Sequence, residues 1–523
     1  MSYFLDNVTS VNQFTKTTQK KYFVDKSRLI SKINELVGSD AQYICVTRPR
    51  RFGKTVNAMM LASYYSKNAD FKELFDKLEI SHDESYLEHL NKHNVVYMTF
   101  SEMPKPNCTY EEFLNSYIVD LIDYLAENFQ DIKIDKSKPI FKIFSQVYAQ
   151  CGQGFIFIFD EWDYIFNNKL FSESDRENFL QFLKDLLKDK PYVELAYMTG
   201  VLPIAKYSSG SALNMFTEFN MMNDYQFDDC FGFTQNEVEM LCAKQNRLEL
   251  SELKEWYNGY HTCNNLQIYN PRSVSLALSY GVCQSYWTNT GPMDEIIYYI
   301  ENNIEAVRDD IVRMSSGLTV KVLLEGYSAE KISLNTRDEI LSAMTVYGFL
   351  SYYDEELRIP NKELRMKFDY ALRNNKMGEI SKLVLQSNEM LEATIKKDTE
   401  TMERLIQEAH DINIPVIKYN DENSLACVIT LVYLNARSQY KIVREMPAGV
   451  GFADFIFYPN NKSKPAFIIE LKKDATPDEA LQQIREKRYE KALDGYRGQK
   501  LAVGISYDSK LKTHKVKIEE IQP

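Results

Sequence analysis

The sequence predicts an α/β protein: a parallel-sheet N-terminal domain, a helical module, and a second α/β domain at the C-terminal end. Three observations predict it. The first ~235 residues alternate unbroken apolar runs with amphipathic stretches, the next ~140 read as helix with little strand, and the last ~105 return to apolar runs separated by helix. A strand that is apolar on both faces must be covered on both faces, as in parallel sheets joined by crossover helices.

In residues 1–235 the strand candidates are YICVT (43–47), VVYMTF (95–100), FIFIFD (155–160) and ELAYMTG (194–200). Helical patterns lie between them, at VNAMMLASYYS (56–66) and YEEFLNSYIVDLIDYLAENF (110–129). Residues 236–375 read as a helical lid or winged-helix module. Thr234 with Glu237 forms a capping box, and Asn270 as N-cap with Pro271 in the first turn opens YNPRSVSLAL. Residues 376–418 read as a long charged amphipathic helix, a connector. From 419 to 523 a helix near 422–437 precedes FADFIFY, AFIIELK, a helix over 475–494, and LAVGISY.

A chain of 523 residues exceeds one ordinary core, so two to four domains are expected. Apolar content of 44% and charged content of 26% describe a soluble globular protein. A net charge of −12 excludes a constitutive, non-specific DNA coater and leaves room for a local basic groove. The eight cysteines form no CxxC pair and the six histidines are isolated, so neither a zinc site nor a disulfide framework is expected. Cys45 and Cys427 sit in apolar runs and read as small buried hydrophobes. No signal peptide is read in MSYFLDNVTS, and the longest apolar runs are strand-sized. The expected location is cytoplasmic, with no membrane partner.

TRPRRFGKT (47–55) follows a strand and precedes a helix. That context suits a phosphate-binding loop, because successive backbone N–H groups and a helix N-terminus converge on one anion. Arg48 stands where GxxxxGK[ST] has its first glycine, and Pro49 stiffens the entrance. Gly53 lets the backbone approach phosphate, Lys54 reaches the β/γ oxygens and Thr55 holds Mg²⁺, while Arg50, Arg51 and Phe52 complete the loop. FIFIFDEWD adds Asp160 in the metal's shell and Glu161 to polarise the attacking water. ELAYMTG ends on Thr199, placed as a sensor of the γ-phosphate. The cofactors expected are ATP and Mg²⁺.

Eight stretches dispersed over residues ~3–368 resemble the bacterial AAA-ATPase-like family: YFVDKSRLI, TRPRRFGKT, IFDEWD, YMTGV, FGFTQNEV, WYNGYH, YNPRSV and IPNKELR. In that family RPRRFGK is the usual loop, and a PD-(D/E)XK nuclease-like domain commonly closes the chain. The resemblance implies an ASCE-type P-loop ATPase followed by a helical lid.

In GFADFIFYPNNKSKPAFIIELKKD (451–474), Asp454 lies on one apolar strand and Glu470 and Lys472 on the next. Strand period 2 sends Glu470 and Lys472 to one face and Ile469 and Leu471 to the other. Two carboxylates on adjacent strands suit Mg²⁺, and the lysine suits transition-state charge, so phosphodiester hydrolysis is the chemistry implied. By resemblance to the D…ExK superfamily, Glu422 supplies a third carboxylate. QQIREKRY places Gln483 and Tyr489 on one helix, resembling a QxxxY-type nuclease motif, and these two with Arg485, Lys487 and Arg488 are the expected nucleic-acid contacts, the cations facing a phosphate backbone.

The leading expectation is a P-loop ATPase coupled to a Mg²⁺-dependent nuclease that cuts nucleic acid, DNA in preference to RNA. The alternative is a nucleotide-dependent switch whose C-terminal domain binds nucleic acid or a protein partner without cleavage. A small-molecule kinase would share the loop but leave the C-terminal carboxylates unexplained. No residue reads out a base. Arg272 and Arg313 are available as an arginine finger and spacing selects neither, so a homo-oligomer or a regulatory protein partner stays open.

Overall fold

The computed structural model describes residues 8–68, 70–204, 213–287, 307–315, 317–322, 334, 336–372, 379–411, 422–461 and 463–521. The N-terminal sheet holds β1 (Tyr43–Thr47), β2 (Asn94–Thr99), β3 (Phe155–Asp160), β4 (Val193–Gly200) and β5 (Thr217–Phe219). All pairs are parallel and the order is β2-β3-β4-β1-β5. β4 therefore stands between β1 and β3, and the loops after those two strands open at the same sheet edge.

Alternation within FIFIFD builds both layers. Ile156 and Ile158 pack with Leu29, Leu61 and Tyr64 on one face. Phe155, Phe157 and Phe159 pack with Phe113, Phe144 and Phe179 on the other. Burying such side chains is worth roughly 1.5–3 kcal/mol each. The covering helices Tyr110–Asn128 and Glu173–Leu187 both start at capping boxes, Thr109 with Glu112 and Ser172 with Asp175.

The middle of the chain carries more strand than expected. β6 (Phe233–Thr234), β7 (Tyr260–His261) and β8 (Gln267–Tyr269) form one small sheet. β9 (Val320–Lys321), β10 (Ser351–Tyr353) and β11 (Glu356–Arg358) form another. Strands of two or three residues are too short to show a period. The helices here include Gln235–Cys242 and Pro271–Tyr280, whose caps Thr234 and Asn270 stand as expected, and Lys362–Leu372.

The C-terminal sheet is mixed. It runs in sequence order through β12 (Tyr440–Ala448), β13 (Gly451–Pro459), β14 (Ala466–Lys473), β15 (Lys500–Asp508) and β16 (Thr513–Glu520). Only β14–β15 is parallel, and helix Pro477–Glu486 makes that crossover. The outer strands β12 and β16 escape the sequence pattern because edge strands interleave charge with apolar residues, and β12 also carries Pro447.

The long helix expected over 376–418 is two helices, Glu379–Lys396 and Thr399–Asp411. Lys397 takes φ 60°, a left-handed conformation that ends the first, and Asp398 accepts from Thr401 N (3.1 Å) to start the second. Both are docked on the C-terminal domain, the second directly against β16. Met390, Met402 and Leu405 share a core with Phe457, Ile469 and Val503, and Glu403 Oε1 accepts from Val516 N (2.9 Å). Among the described residues no helix is long and apolar enough to cross a membrane.

Candidate functional sites

The loop 48–53 joins β1 to helix Lys54–Tyr65 with Arg51 at φ 72° and Gly53 at φ 94°. These left-handed residues curl the backbone around the helix N-terminus. Arg48 turns away from the curl. Its guanidinium is buried, donates to Phe219 O (2.9 Å), pairs with Asp224 and lies over the Phe231 ring at 4.9 Å. It replaces a glycine by tying the loop entrance to β5. Arg48→Ala would leave Asp224 buried and uncompensated, and a loss of about 3–5 kcal/mol is expected in denaturant titration. Adding Asp224→Ala should restore part of that loss; a double variant no more stable than the single one counts against this account.

The loop is also keyed into the middle module. A Cβ on Gly348 would stand 2.6 Å from Pro49 Cβ, so only a glycine allows this approach at φ 84°. The Phe52 ring packs edge-on against Tyr260 at 5.0 Å, and Phe52 O accepts from Gly232 N (3.1 Å). Phe52 thus lines the site but spends its ring on the module.

The catalytic candidates converge at the C-terminal edges of β1 and β3. Lys54 Nζ donates to Arg48 O (2.9 Å) and Pro49 O (3.0 Å). Burial pulls its ammonium down to about 8, against the charges of Asp163, Asp160 and Glu161. Burial pushes Asp160 up to about 6, opposed by a hydrogen bond from the Thr55 hydroxyl. Glu161 is exposed at φ 51° and lines a cavity of ≈ 1840 Å³ together with Arg50, Arg51, Gly53, Lys54 and Thr55.

Thr199 departs from expectation. It is fully buried, and its hydroxyl donates to Val46 O (2.8 Å), tying β4 to β1 instead of facing the cavity. The strand end that does line the cavity is Gly200 with Val201. Sequence reasoning missed Asp163, the last residue of IFDEWD. It is buried, accepts from Val201 N (3.0 Å) and Leu202 N (2.9 Å), and so sets the turn after β4. It also missed that Arg272, and not Arg313, lines the cavity. Arg272 lines the cavity from the first turn of helix Pro271–Tyr280, close enough that its charge, after burial, lowers the Arg51 pKa.

In the C-terminal sheet Asp454 and Glu470 lie side by side. Asp454 Oδ2 accepts from Leu471 N (2.7 Å), replacing a ladder bond where β13 and β14 part. Burial, then the Asp454 charge, pushes the Glu470 carboxyl up to about 7, opposed by Lys472. Lys472 Nζ is 3.3 Å from Glu470 Oε1. The Gln483 amide donates to the same oxygen and to Tyr489 OH (3.2 Å). Glu470 Oε2 is buried with no hydrogen-bond partner.

Helix Pro477–Glu486 ends before Tyr489, contrary to the single helix expected over 475–494. Arg488 is left-handed (φ 55°) and Tyr489 opens a 3₁₀ turn. Gln483 and Tyr489 nevertheless meet, turned inward to the carboxylate and not outward to a ligand backbone. Arg485 pairs with Glu519 (3.0 Å), while Lys487 and Arg488 are exposed. Glu422 opens its helix, but its side chain lies outside the described residues. Among the described residues no group of three or more His, Cys, Asp or Glu is placed to hold a metal. Two carboxylates, one with an unpartnered buried oxygen, fit Mg²⁺, which is commonly held by one or two protein carboxylates plus substrate phosphate.

Family models match two parts of the chain: residues 9–209 match "Predicted AAA-ATPase" and residues 420–517 match "PD-(D/E)XK nuclease superfamily". Among solved structures, the Walker-type ATPase PABY2304 of Pyrococcus abyssi aligns over 66% of this chain and 94% of its own, at 12% identity and TM-score 0.34. The Aeropyrum pernix ORC2 protein in ADPNP–ADP complexes aligns over 66% and 91%, at 8% identity and TM-score 0.31. The Aeropyrum pernix ORC1 protein in complex with DNA aligns over 69% and 94%, at 8% identity and TM-score 0.28. No curated protein matches the chain.

Proposed function

We propose that the N-terminal domain binds and hydrolyses ATP, and that its nucleotide state governs metal-dependent cleavage of nucleic acid, DNA before RNA, by the C-terminal domain. The observation that carries the reading is Glu470 Oε2, a buried carboxylate oxygen without a partner in the fold, beside Asp454 and Lys472. Such an oxygen costs stability unless it serves a ligand. The charge distribution agrees: residues 421–523 carry 17 Lys and Arg against 14 Asp and Glu, in a chain of net charge −12.

When bound, Mg²⁺ supplies positive charge against phosphate oxygens; Thr55 and Asp160 would hold it in one domain, Asp454 and Glu470 in the other. The backbone around Gly53 and the helix N-terminus cradle the nucleotide phosphates, and Lys54 exchanges the carbonyls of Arg48 and Pro49 for phosphate oxygens. Glu161 takes the proton of the attacking water, and Arg272 brings charge from the middle module. In the C-terminal domain Gln483 orients Glu470, and Lys472 faces developing charge on the phosphate.

A contact route for coupling leaves the Arg272 helix through Glu363. This buried carboxylate accepts from Ser273 Oγ (2.9 Å), Tyr286 N (2.6 Å) and Trp287 N (2.7 Å). Further along the same helix, Lys362–Leu372, Asp369 meets Arg437 (3.3 Å), three residues before β12.

The test is plasmid cleavage in Mg²⁺, with and without ATP. Wild type should nick faster in one nucleotide state, and Asp454→Ala should not nick. Equal nicking by the two proteins removes the C-terminal assignment, and a wild-type rate indifferent to ATP removes the coupling.

A further inference from the structure

The N-terminal cavity is larger and more basic than a mononucleotide requires. Its volume is ≈ 1840 Å³, against roughly 300–1,000 Å³ for most small-ligand pockets. Ten of its lining residues are Lys or Arg and two are Asp or Glu, on a chain whose net charge is −12. Arg50, Arg51, Lys54 and Arg272 surround the phosphate loop, and Lys26 is held by Glu237 at 2.7 Å.

Four other cations gather at the far end of helix Pro271–Tyr280. Three chain segments meet there. The Tyr22 hydroxyl donates to Leu278 O (3.1 Å), which brings Lys20 and Lys21 to the helix. Lys244 Nζ lies 3.5 Å from Lys21 O. Arg247 lies over Gly281, where an added Cβ would come within 2.6 Å of its Cδ. Leu278 and Gly281 follow Arg272 by six and nine residues, which places this cluster roughly 9–14 Å along the helix from the phosphate loop. All four cations are exposed. Tyr280, which precedes Gly281, is 65% exposed and is stacked on Tyr286 with ring centroids 6.1 Å apart.

Exposed cations at the end of a helix whose last residue is an exposed, braced aromatic suit a single nucleic-acid strand: the cations take phosphates and the ring takes a base. A duplex keeps its bases stacked inside the helix, and an acidic peptide has no base to stack. We propose that Lys20, Lys21, Lys244, Arg247 and Tyr280 form a single-strand binding rim on the ATPase domain, next to the nucleotide and separate from the nuclease carboxylates. The rim would let the nucleotide state be read out on a strand held by the same domain.

The experiment is anisotropy of a labelled single-stranded oligonucleotide on the full chain, with chelator present so that nothing is cut. Lys244→Gln/Arg247→Gln should weaken binding about tenfold or more and reduce the salt slope by about 1.4, near 0.7 per lost phosphate contact. Tyr280→Ala should weaken binding about tenfold and leave the slope as in wild type. ADP affinity should be unchanged in both. Wild-type strand affinity in both variants overturns the proposal. So does lost ADP affinity with strand binding intact, which assigns the cluster to the mononucleotide. A slope change with Tyr280→Ala neutral overturns the strand in favour of an acidic peptide. Should the double variant fail to fold, photocrosslinking of a bromodeoxyuridine strand to the unaltered chain decides: crosslinks at 20–22, 244–247 or 280 support the rim, and crosslinks confined to 421–523 refute it. Asp454→Ala tests the nuclease reading alone, so the two failures are distinguishable.

Discussion

Glu470→Gln is expected to abolish metal-dependent cleavage, by at least about 10²-fold, while making the fold more stable above neutral pH. The two effects share one cause. The carboxyl is buried and its pKa is pushed up to about 7 from the ordinary 4.5. Between those values the folded chain holds a proton that the unfolded chain has lost, so stability falls as pH rises through the window. A shift of that size corresponds to as much as about 3 kcal/mol once the group is ionised. The neutral amide removes that cost and adds a smaller one, because its own NH₂ replaces an oxygen that had no partner. Urea titrations at pH 5 and pH 8 should therefore show the variant gaining on wild type as pH rises, by about 1–2 kcal/mol. Cleavage by wild type should climb with pH up to and somewhat beyond 7, as the carboxylate becomes available to a cation. A variant that cuts at the wild-type rate, or a stability difference flat with pH, would mean that this carboxylate is neither the ligand nor the strained group.

Lys54→Met is expected to lose ATP hydrolysis by about 10²–10³-fold, with nucleotide affinity falling alongside. Without nucleotide the ammonium is buried against two backbone carbonyls and its pKa is lowered to about 8. From pH 8 to the ordinary value of 10.5 the unfolded chain carries a proton that the folded chain lacks, so this group's contribution to stability rises with pH. Below pH 8 the charged lysine costs stability, and Lys54→Met should unfold at a higher temperature than apo wild type at pH 7. Phosphate reverses the balance by stabilising the charged amine. ATP affinity of wild type should therefore weaken between pH 7 and 9, with proton uptake on binding near pH 8; calorimetry in buffers of different ionisation enthalpy measures both. Hydrolysis within tenfold of wild type would remove Lys54 from the chemistry. If the variant also cuts nucleic acid with the wild type's response to ATP, the two domains are uncoupled.

Several features were legible only in part. Asp160 and Glu161 were conspicuous because a carboxylate pair closes a strand of five consecutive apolar residues. Thr199 closes β4 in the same way, yet its hydroxyl is taken by Val46 O, since β4 is flanked by β1 and β3 and its end is enclosed. Arg48 was read only as the residue standing in place of the first glycine. Its partner Asp224 lies 176 residues away, and no local pattern announces such a pair. Gln483 and Tyr489 were read on one helix, but a left-handed Arg488 separates them and the fold reunites them at Glu470.

By itself the sequence determined the central strands of both large sheets, the phosphate-loop position and the acidic residues at strand ends. It could do so because a strand buried on both faces must be apolar throughout, and any charge that interrupts it stands out. Tertiary structure alone decided the edge strands, the docking of the 379–411 helices, the placement of Arg272 at the cavity, and the partners that Arg48 and Glu470 meet. Those outcomes depend on contacts between residues far apart in the chain, where burial of a charge is settled by the partner it meets and not by its neighbours in sequence.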